Sequence, residues 1–290
     1  MLNILILGKN SYIGKRLTEY LQQFSADYSV QSISQRDDHW KSIDFSTFDS
    51  IVDCVGIAHV DNGHLSEDDS KKYYKVNRDL AIAAAKKAKQ EGVKQFLFMS
   101  SAIVYGKQSH ITADTQPAPE SAYGDSKWQA EKELSKLEND LFHVALVRPP
   151  MIYGPDCKGN YPRLSRLAQK TKVFPNINNR RSMLYVENLC EFLRLLLENQ
   201  DRGIFWPQNK DYVCTSDMVR TIADVHNKRM VLIRGTIPFV RLAGKFSNLP
   251  KKVFGDFYYD QTLSAYKDNY QVCNFNESIR RTEKIENNDR

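Results

Sequence analysis

The chain opens with a short apolar run, residues 2–7, that ends at Gly8 and leads into a stretch with apolar side chains at helical spacing. An apolar run of this kind, closed by glycine, is typical of a buried parallel strand. The same alternation continues through the first half of the chain. It predicts strands at residues 2–7, 30–34, 49–56, 95–99 and 143–148, and helices at residues 12–24, through 77–85 up to Gly92, and at residues 123–137.

Strands that alternate with helices at this spacing form βαβ units. The sequence therefore predicts an α/β fold with a Rossmann-type, doubly wound parallel sheet, whose ligands bind at the carboxyl ends of the strands. The regularity fades after Pro149 and Pro150. We predict a Rossmann domain over residues 1–150, to which a helix at residues 184–199 returns. A smaller C-terminal substrate-binding lobe over residues 151–183 and 200–284 and a polar tail at residues 285–290 complete the chain.

Composition narrows the class of partner. The formal net charge is +6, but no basic run with interleaved aromatic residues occurs, so we expect an anionic small ligand and no nucleic acid. The five cysteines are scattered, and neither they nor the histidines have metal-type spacing, so we expect no metal. No apolar stretch reaches the length of a membrane span. We expect no membrane partner and a cytoplasmic location.

The turn after the first strand, Gly8-Lys9-Asn10-Ser11-Tyr12-Ile13-Gly14, favours a dinucleotide. Glycine at a strand end lets the backbone turn tightly and approach a pyrophosphate, which then lies at the N-terminus of a helix. Ser11 stands where the middle glycine of this fingerprint usually occurs. An ordinary strand-to-helix turn is the alternative.

Tyr123 and Lys127 indicate a catalytic centre. A spacing of four residues places the two side chains on one helix face, one turn apart. An ammonium beside a phenol favours the phenolate, so we expect Lys127 to lower the pKa of Tyr123 toward neutrality. Ser101, near the end of the preceding strand, could hold the substrate oxygen that the tyrosine protonates. A surface Tyr–Lys pair is the alternative.

Together these residues resemble a known family. GKNSYIG, DSIVDCVG, VN, SSAIVYG, YGDSK, VRPPMIYGP and RRSMLYVENL occur in the order seen in extended short-chain dehydrogenases/reductases of the NAD-dependent epimerase/dehydratase branch. The resemblance covers about the first ~190 residues and implies a nicotinamide cofactor and Ser101, Tyr123 and Lys127 as the catalytic trio. The backbone at Tyr12 and Ile13 would meet the pyrophosphate, and Asp44 and Phe45 the adenine. The complete expected cofactor site is Gly8, Asn10, Ser11, Tyr12, Ile13, Gly14, Arg36, Asp44, Phe45, Val55, Gly56, Asn77, Tyr123, Lys127 and Pro150.

The end of the second predicted strand bears on the choice of cofactor. NAD enzymes place Asp or Glu there to accept a hydrogen bond from the ribose 2′-hydroxyl, whereas this chain has Ser34, Gln35 and Arg36. Arg36 could pair with a 2′-phosphate. The sequence therefore favours NADP(H) over NAD(H), with a solvated Arg36 as the alternative.

The substrate implied by the resemblance is a nucleotide-diphosphate sugar. Arginines suit a diphosphate, and the family arginine that corresponds to Arg181 contacts the nucleotide phosphates. Met151, Asn160 and Arg163 complete the expected substrate site. Met151 stands where the family often has Asn, and a late family arginine has no clear counterpart here. Homodimerisation through residues 74–88 and 128–137 is expected by analogy alone.

Two reactions and one non-catalytic role remain open at this point. Sugar dehydratases of the family carry an Asp-Glu pair at the positions of Ala102 and Ile103, so dehydration is disfavoured. The block from Met151 to the segment around Arg181 resembles reductases that make UDP-linked N-acetyl-6-deoxyhexosamines for capsule and O-antigen. We expect an NADPH-dependent 4-ketoreductase of a UDP-4-keto-6-deoxy-N-acetylhexosamine. The alternatives are a UDP-glucose or UDP-N-acetylglucosamine 4-epimerase and, more remotely, a non-catalytic NADP sensor.

Overall fold

The computed structural model describes residues 1–58, 66–235 and 254–284. The predicted tail at residues 285–290, and residues 236–253 of the predicted second lobe, lie outside the described residues. In chain order the strands are β1 Leu2–Leu7, β2 Tyr28–Ile33, β3 Ser50–Asp53, β4 Gln95–Met99, β5 His110–Ile111, β6 His143–Val147, β7 Met151–Tyr153, β8 Val173–Pro175, β9 Met183–Tyr185, β10 Gly203–Phe205, β11 Val231–Ile233 and β12 Tyr258–Tyr259. The helices used below are α1 Tyr12–Leu21, α2 Glu67–Tyr73, α3 Leu80–Gln90, α4 Ala122–Ser135, α5 Tyr161–Lys170, α6 Val186–Asn199, α7 Thr215–Val225 and a C-terminal helix Phe275–Thr282.

Within the described residues, the central sheet has six parallel strands in the order β10-β6-β4-β3-β1-β2. The predicted α/β fold with a parallel, doubly wound sheet is confirmed. The strand order reverses at β1, because β2 lies on one side of it and β3 on the other. Ligands of such sheets bind at the switch point, outside the carboxyl ends of the two strands that diverge there. The fold therefore directs attention to the ends of β1 and β3.

Alternation along β1 explains why its sequence is a continuous apolar run. Ile4 and Ile6 face the core on one side of the sheet, and Leu5 and Leu7 face the core on the other. Successive side chains of a strand point to opposite faces, so a strand covered on both faces needs apolar residues throughout. Helices α1 and α6 pack on the first face, and α3 and α4 cover the second.

Several predicted elements have different limits. The helix predicted at residues 12–24 ends at Leu21 and continues as a 3-10 turn, Gln22–Phe24. The helix predicted through residues 77–85 consists of α2, a π-helical segment Tyr74–Asp79 and α3. π-helical turns often occur at functional sites. This one contains Asn77, whose side chain is fully buried.

The predicted lobe boundary at residue 200 differs from the structure. β10 extends the central sheet by pairing with β6, with Gly203 opposite Ala145 and Phe205 opposite Val147. Residues 203–205 therefore belong to the main sheet, since their backbone groups complete its edge. The remaining small sheets join β7 to β9, β8 to β11, and β5 to β12. The other domain limits stay predictions.

None of the helices in the described ranges combines the length and the apolar character needed to cross a membrane.

Candidate active site

The turn after β1 requires glycine at both ends. Gly8 has φ of +102°, a conformation that residues with a side chain rarely adopt. A Cβ on Gly14 would lie 2.4 Å from the carbonyl oxygen of Gly8. Ser11 caps α1, because its Oγ accepts a hydrogen bond of 2.9 Å from the Gly14 amide. The turn thus brings the N-terminus of α1 close against the end of β1.

This turn fits the pyrophosphate of a dinucleotide. The N-terminus of α1 lies at the switch point, where its free amides and its dipole favour an anion. Asn10 is exposed, and Ser11, Tyr12 and Ile13 are half-buried at the start of the helix. The backbone is therefore available at the position where the sequence predicted phosphate contact.

Gln35 is a polar residue at this site that the sequence analysis did not include in the cofactor set. It follows β2 and is 6% exposed, and neither polar atom of its amide has a hydrogen-bond partner among the described residues. Burying an unpaired amide costs free energy unless a ligand completes it. The sequence offered one signal that Gln35 belongs to the cofactor site: it stands at the strand end between Ser34 and Arg36, the residues considered for contact with the ribose. The orphaned amide supports the fit of a dinucleotide.

Arg36 is exposed at the end of β2, and its backbone amide donates to Ser34 Oγ over 3.2 Å. Its guanidinium is open to an anionic ligand, and no carboxylate occupies residues 34–36. The residues at this strand end can therefore accommodate a 2′-phosphate.

The Phe45 ring lies in the core, and the expected contact of Phe45 with adenine stays a prediction. Its ring is fully buried, 6.3 Å from Trp40 between ring centroids and 4.8 Å from the Lys87 ammonium. The ring belongs to the core because it fills the space between Trp40 and α3, so it offers no exposed face to adenine. Asp44 is exposed and caps a 3-10 turn by accepting from the Ser46 amide over 2.9 Å.

Three expected catalytic side chains come from two neighbouring segments. Tyr123 and Lys127 lie on α4, which begins after Ser121, whose Oγ accepts from the Gly124 amide over 3.1 Å. Ser101 ends the segment after β4 and caps a 3-10 turn by accepting from the Ile103 amide over 3.3 Å, and its hydroxyl lies close enough to the Tyr123 phenol to influence the pKa of that phenol. The structure therefore brings the tyrosine and the serine together.

Lys127 is buried at the carboxyl ends of β3 and β4. Its Nζ donates to the carbonyl oxygens of Met99 (2.8 Å) and Val55 (3.3 Å), and lies 4.4 Å from the centre of the Phe98 ring. Burial lowers the pKa of this ammonium to about 8, and the neighbouring Asp53 carboxylate opposes that fall.

The expected effect of Lys127 on Tyr123 is wrong for this arrangement. Burial raises the pKa of the Tyr123 phenol, the nearby Ser101 hydroxyl opposes the rise, and Tyr73 adds to it. The Lys127 ammonium is engaged by two backbone carbonyls instead. Tyr123 is therefore a protonated phenol in this structure, suited to donate a proton.

Asn77 fixes the loop beyond β3. Its Oδ1 accepts from the Ile57 amide over 2.9 Å, and its Nδ2 donates to the Ile57 carbonyl and to Ser126 Oγ. A Cβ on Gly56 would lie 3.3 Å from both Asn77 Oδ1 and Lys127 Nζ. Gly56, which is exposed, thus leaves open space above the buried lysine, and half-buried Val55 lies beside it.

A buried ion pair behind the site was not anticipated. Glu131 follows Lys127 by one helical turn and binds Arg148 with both carboxylate oxygens. Ser100 donates to Glu131, and Tyr105 accepts from the Arg148 guanidinium over 2.7 Å. This network ties α4 to the ends of β4 and β6. The available signal in the sequence for this ion pair was the position of its two residues. Glu131 follows the YGDSK motif and Arg148 belongs to the VRPP segment, and both segments were expected near the site.

The expected substrate residues lie on separate elements after β6. Pro150 is buried, and Met151 begins β7 half-buried. Asn160 and Arg163 are exposed at the start of α5. Arg181 is half-buried, and its Nη1 donates to the Gly255 carbonyl over 3.0 Å. The contacts described here do not join these residues into one site.

No cluster of three or more His, Cys, Asp and Glu side chains with the arrangement of a metal site occurs in residues 1–58, 66–235 and 254–284.

The sequence matches the family model described as the NAD dependent epimerase/dehydratase family over residues 4–214. The chain belongs to this family. Its membership confirms the resemblance and assigns the chain as an enzyme of the epimerase/dehydratase class, built on the extended short-chain dehydrogenase/reductase fold.

Two relatives of this chain carry the name of a 4-epimerase. UDP-glucose 4-epimerase of Vibrio cholerae is 30% identical over 247 residues, which are 76% of this chain and 75% of that protein. N-acetyl-alpha-D-glucosaminyl-diphospho-ditrans,octacis-undecaprenol 4-epimerase of Escherichia coli O157:H7 is 26% identical over 279 residues, 88% of this chain and 82% of that protein.

Solved structures support the fold of this family member. UDP-glucuronic acid 4-epimerase from Bacillus cereus, in complex with NAD, has a TM-score of 0.74 at 16% identity and covers 98% of both chains. RMD from Pseudomonas aeruginosa, complexed with NADPH, has a TM-score of 0.76 at 16% identity and covers 97% of this chain and 98% of that one. Both nicotinamide dinucleotides thus occur on this fold.

Proposed function

We propose that the chain is an NADPH-dependent 4-ketoreductase of a UDP-4-keto-6-deoxy-N-acetylhexosamine that serves surface polysaccharide synthesis in the cytoplasm. The observation that carries the reductase assignment is the end of β2, where exposed Arg36 and the absence of a carboxylate at residues 34–36 favour a 2′-phosphate. A one-way reduction consumes one NADPH at every turnover, so the oxidised cofactor must leave and a fresh NADPH must bind.

The catalytic side chains support proton delivery to a sugar oxygen. A nicotinamide dinucleotide held at the ends of β1 and β3 would supply the hydride for the reduction of carbon 4. Tyr123, whose pKa is raised by burial, donates its phenolic proton to the carbon 4 oxygen. The Ser101 hydroxyl, which lies near the Tyr123 phenol, holds that oxygen in line with the phenol. Lys127 places a positive charge close below the site.

The residues after Ser101 argue against dehydration. Elimination of water needs an acid and a base near the sugar. Ala102 is buried and Ile103 is half-buried, and neither side chain can exchange a proton. The trio therefore supports simple redox chemistry at carbon 4.

Arg181 is the proposed phosphate contact. Burial lowers its pKa, and the neighbouring Asp256 carboxylate opposes that fall. A half-buried guanidinium is less hydrated than an exposed one, and its planar donors match phosphate oxygens. Arg163, exposed on α5, is a second candidate, and Asn160 and Met151 are the other proposed substrate residues.

A 4-epimerase is the second candidate, because both relatives described above carry that name. An epimerase oxidises carbon 4 and reduces it again, so it must retain its cofactor through both half-reactions. A reductase must release the oxidised cofactor and bind a fresh one at every turnover. The two functions therefore differ in how firmly the cofactor is held.

This difference gives the deciding experiment. The purified chain is dialysed exhaustively, denatured, and assayed for released nicotinamide dinucleotide. We expect little bound cofactor, and loss of NADPH absorbance when NADPH and UDP-4-keto-6-deoxy-N-acetylhexosamines are added. Tyr123→Phe, treated identically, controls for background oxidation.

Stoichiometric NAD(H) that survives dialysis, together with interconversion of UDP-glucose and UDP-galactose without added cofactor, decides for the epimerase.

Homodimerisation through the segments at residues 74–88 and 128–137 remains a separate prediction. In the structure these segments contact each other, with Arg78 donating to Gln129 over 2.7 Å. Sedimentation velocity measures the oligomeric state directly.

A further inference from the structure

We propose that Asp53 is a positioning residue for Lys127: its buried carboxylate is the counter-charge that keeps the lysine ammonium protonated at the carboxyl ends of β3 and β4. This inference rests on the proposed role of Lys127 in the active site. Asp53 had no role in the sequence analysis, where it appeared only as part of a strand.

Strand register places the two charges on one face of the sheet. Asp53 is paired with Phe98 of β4 and with Leu7 of β1. Paired residues of adjacent strands direct their side chains to the same face. The Lys127 ammonium lies over that Phe98 ring, 4.4 Å from its centre. The carboxylate and the ammonium therefore lie on the same face of the sheet, in the neighbourhood of the Phe98 ring.

The Asp53 carboxyl is incompletely satisfied by the backbone. Its Oδ1 accepts from the Val55 amide over 2.8 Å, whereas its Oδ2 is buried without a hydrogen-bond partner among the described residues. Asp53 is 0% exposed. A buried carboxylate with an unpaired oxygen is costly unless a nearby charge offsets the lost hydration. The adjacent ammonium of Lys127 provides that charge.

Other groups near Lys127 cannot replace Asp53. Cys54 is a buried thiol whose pKa is raised by burial, so it is neutral. Glu131 already binds the Arg148 guanidinium with both oxygens. The carbonyls of Val55 and Met99 orient the ammonium but carry no net charge. Among the described residues near Lys127, Asp53 is thus the acidic group that no other cation neutralises.

The two groups define a pH interval in which both are charged. Burial raises the pKa of Asp53 to about 6, and the Lys127 ammonium opposes that rise. Burial lowers the pKa of Lys127 to about 8, and Asp53 opposes that fall. Each group therefore favours the charged form of the other, and the effects must be reciprocal.

The test measures the protonation of Lys127 directly and needs neither substrate nor turnover. The full chain is labelled with [ε-13C]lysine, the Lys127 signal is assigned by its loss in Lys127→Arg, and its chemical shift is followed against pH. In Asp53→Asn, which keeps the size and polarity of the side chain, we expect the titration midpoint of Lys127 to fall by at least one pH unit, a tenfold loss of proton affinity. Asp53→Glu should restore part of it.

Asp125→Asn is the matched control. Asp125 lies on α4, as Lys127 does, and its carboxylate accepts hydrogen bonds from Tyr74 and Gln129. We expect this variant to leave the Lys127 midpoint unchanged. An Asp53→Asn midpoint equal to that of the wild type overturns the proposal, because a merely structural aspartate would leave the lysine titration where it is.

A reciprocal measurement covers the case in which Asp53→Asn does not fold. The Asp53 carboxyl is followed by 13C NMR in the wild type and in Lys127→Met. We expect its midpoint to rise when the ammonium is removed, and an unchanged midpoint overturns the proposal. Failure of the 4-ketoreductase assay would leave both titrations informative, so the two proposals fail separately.

Discussion

Glu131 and Arg148 form an ion pair that is almost completely buried, with side chains 1% and 3% exposed and 2.6 Å between Glu131 Oε2 and Arg148 Nη2. Arg148 also lies within 6 Å of the ring centres of Tyr105, Trp128 and Trp206, which surround the guanidinium. Both ions have lost their hydration, so each depends on the other.

We predict that Glu131→Gln destabilises the chain strongly. The variant keeps the shape of the side chain but leaves the Arg148 charge buried and uncompensated, which typically costs about 3–5 kcal/mol. Urea denaturation measures the loss. Glu133→Gln on the same helix is the control, since Glu133 binds Lys136 at the surface and should change stability by less than about 1 kcal/mol. Equal effects of the two substitutions would contradict the prediction.

Tyr123→Phe removes the proposed proton donor while preserving the ring contact with Tyr73, whose ring centre lies 6.0 Å away. We expect kcat to fall by at least ~100-fold, because a positioned general acid contributes rate factors of that order. NADPH affinity, measured by fluorescence titration, should change little. Near-wild-type turnover of a processed substrate by this variant would exclude Tyr123 as the proton donor.

Arg36→Ala tests the cofactor preference. If Arg36 pairs with a 2′-phosphate, its removal should weaken NADPH binding by about 1–3 kcal/mol and leave NADH binding nearly unchanged. Isothermal titration of both cofactors against both proteins measures the difference. Wild-type protein that binds NADH as tightly as NADPH would refute the preference, as would a variant with unaltered NADPH affinity.

Arg181→Met tests the phosphate contact. Methionine retains the apolar stem but loses the charged donors, so binding of a UDP-sugar should weaken by about 1–3 kcal/mol. Titration with UDP alone isolates the nucleotide part, and Arg220→Met is the control because Arg220 is bound to Asp217 on the surface of α7. An Arg181 variant with wild-type UDP affinity would remove Arg181 from the site.

The buried Asp53 carboxyl should also leave a trace in stability. Its pKa is raised to about 6 in the folded chain, so the folded state binds the proton more tightly than the unfolded one. This contribution stabilises the fold fully below about pH 4, and is lost as the pH rises through about 6. We expect the loss to reach about 2 kcal/mol between pH 4 and 7 and to be absent in Asp53→Asn. Urea denaturation of both proteins across this range measures it, and parallel pH curves would contradict it.

The parallel α/β architecture could be predicted from the sequence alone, and so could the tyrosine, lysine and serine that we expect in the active site. Those inferences depend on short-range patterns. The apolar run of β1, the glycines of the following turn and the four-residue interval between Tyr123 and Lys127 are all fixed by local geometry. Local periodicity depends only on residues that are near each other in the sequence, so these features could be predicted.

Tertiary structure decided the features that depend on what surrounds a residue. β10 joins the central sheet through its pairing with β6, although its three residues carry little strand pattern. Burial, not the nearby lysine, sets the direction of the Tyr123 pKa, and tertiary packing places the Phe45 ring in the core. Asp53 approaches Lys127 only because β3 and β4 lie side by side beneath α4. Desolvation and charge pairing arise from many distant segments at once, so no local pattern in the sequence could have specified them.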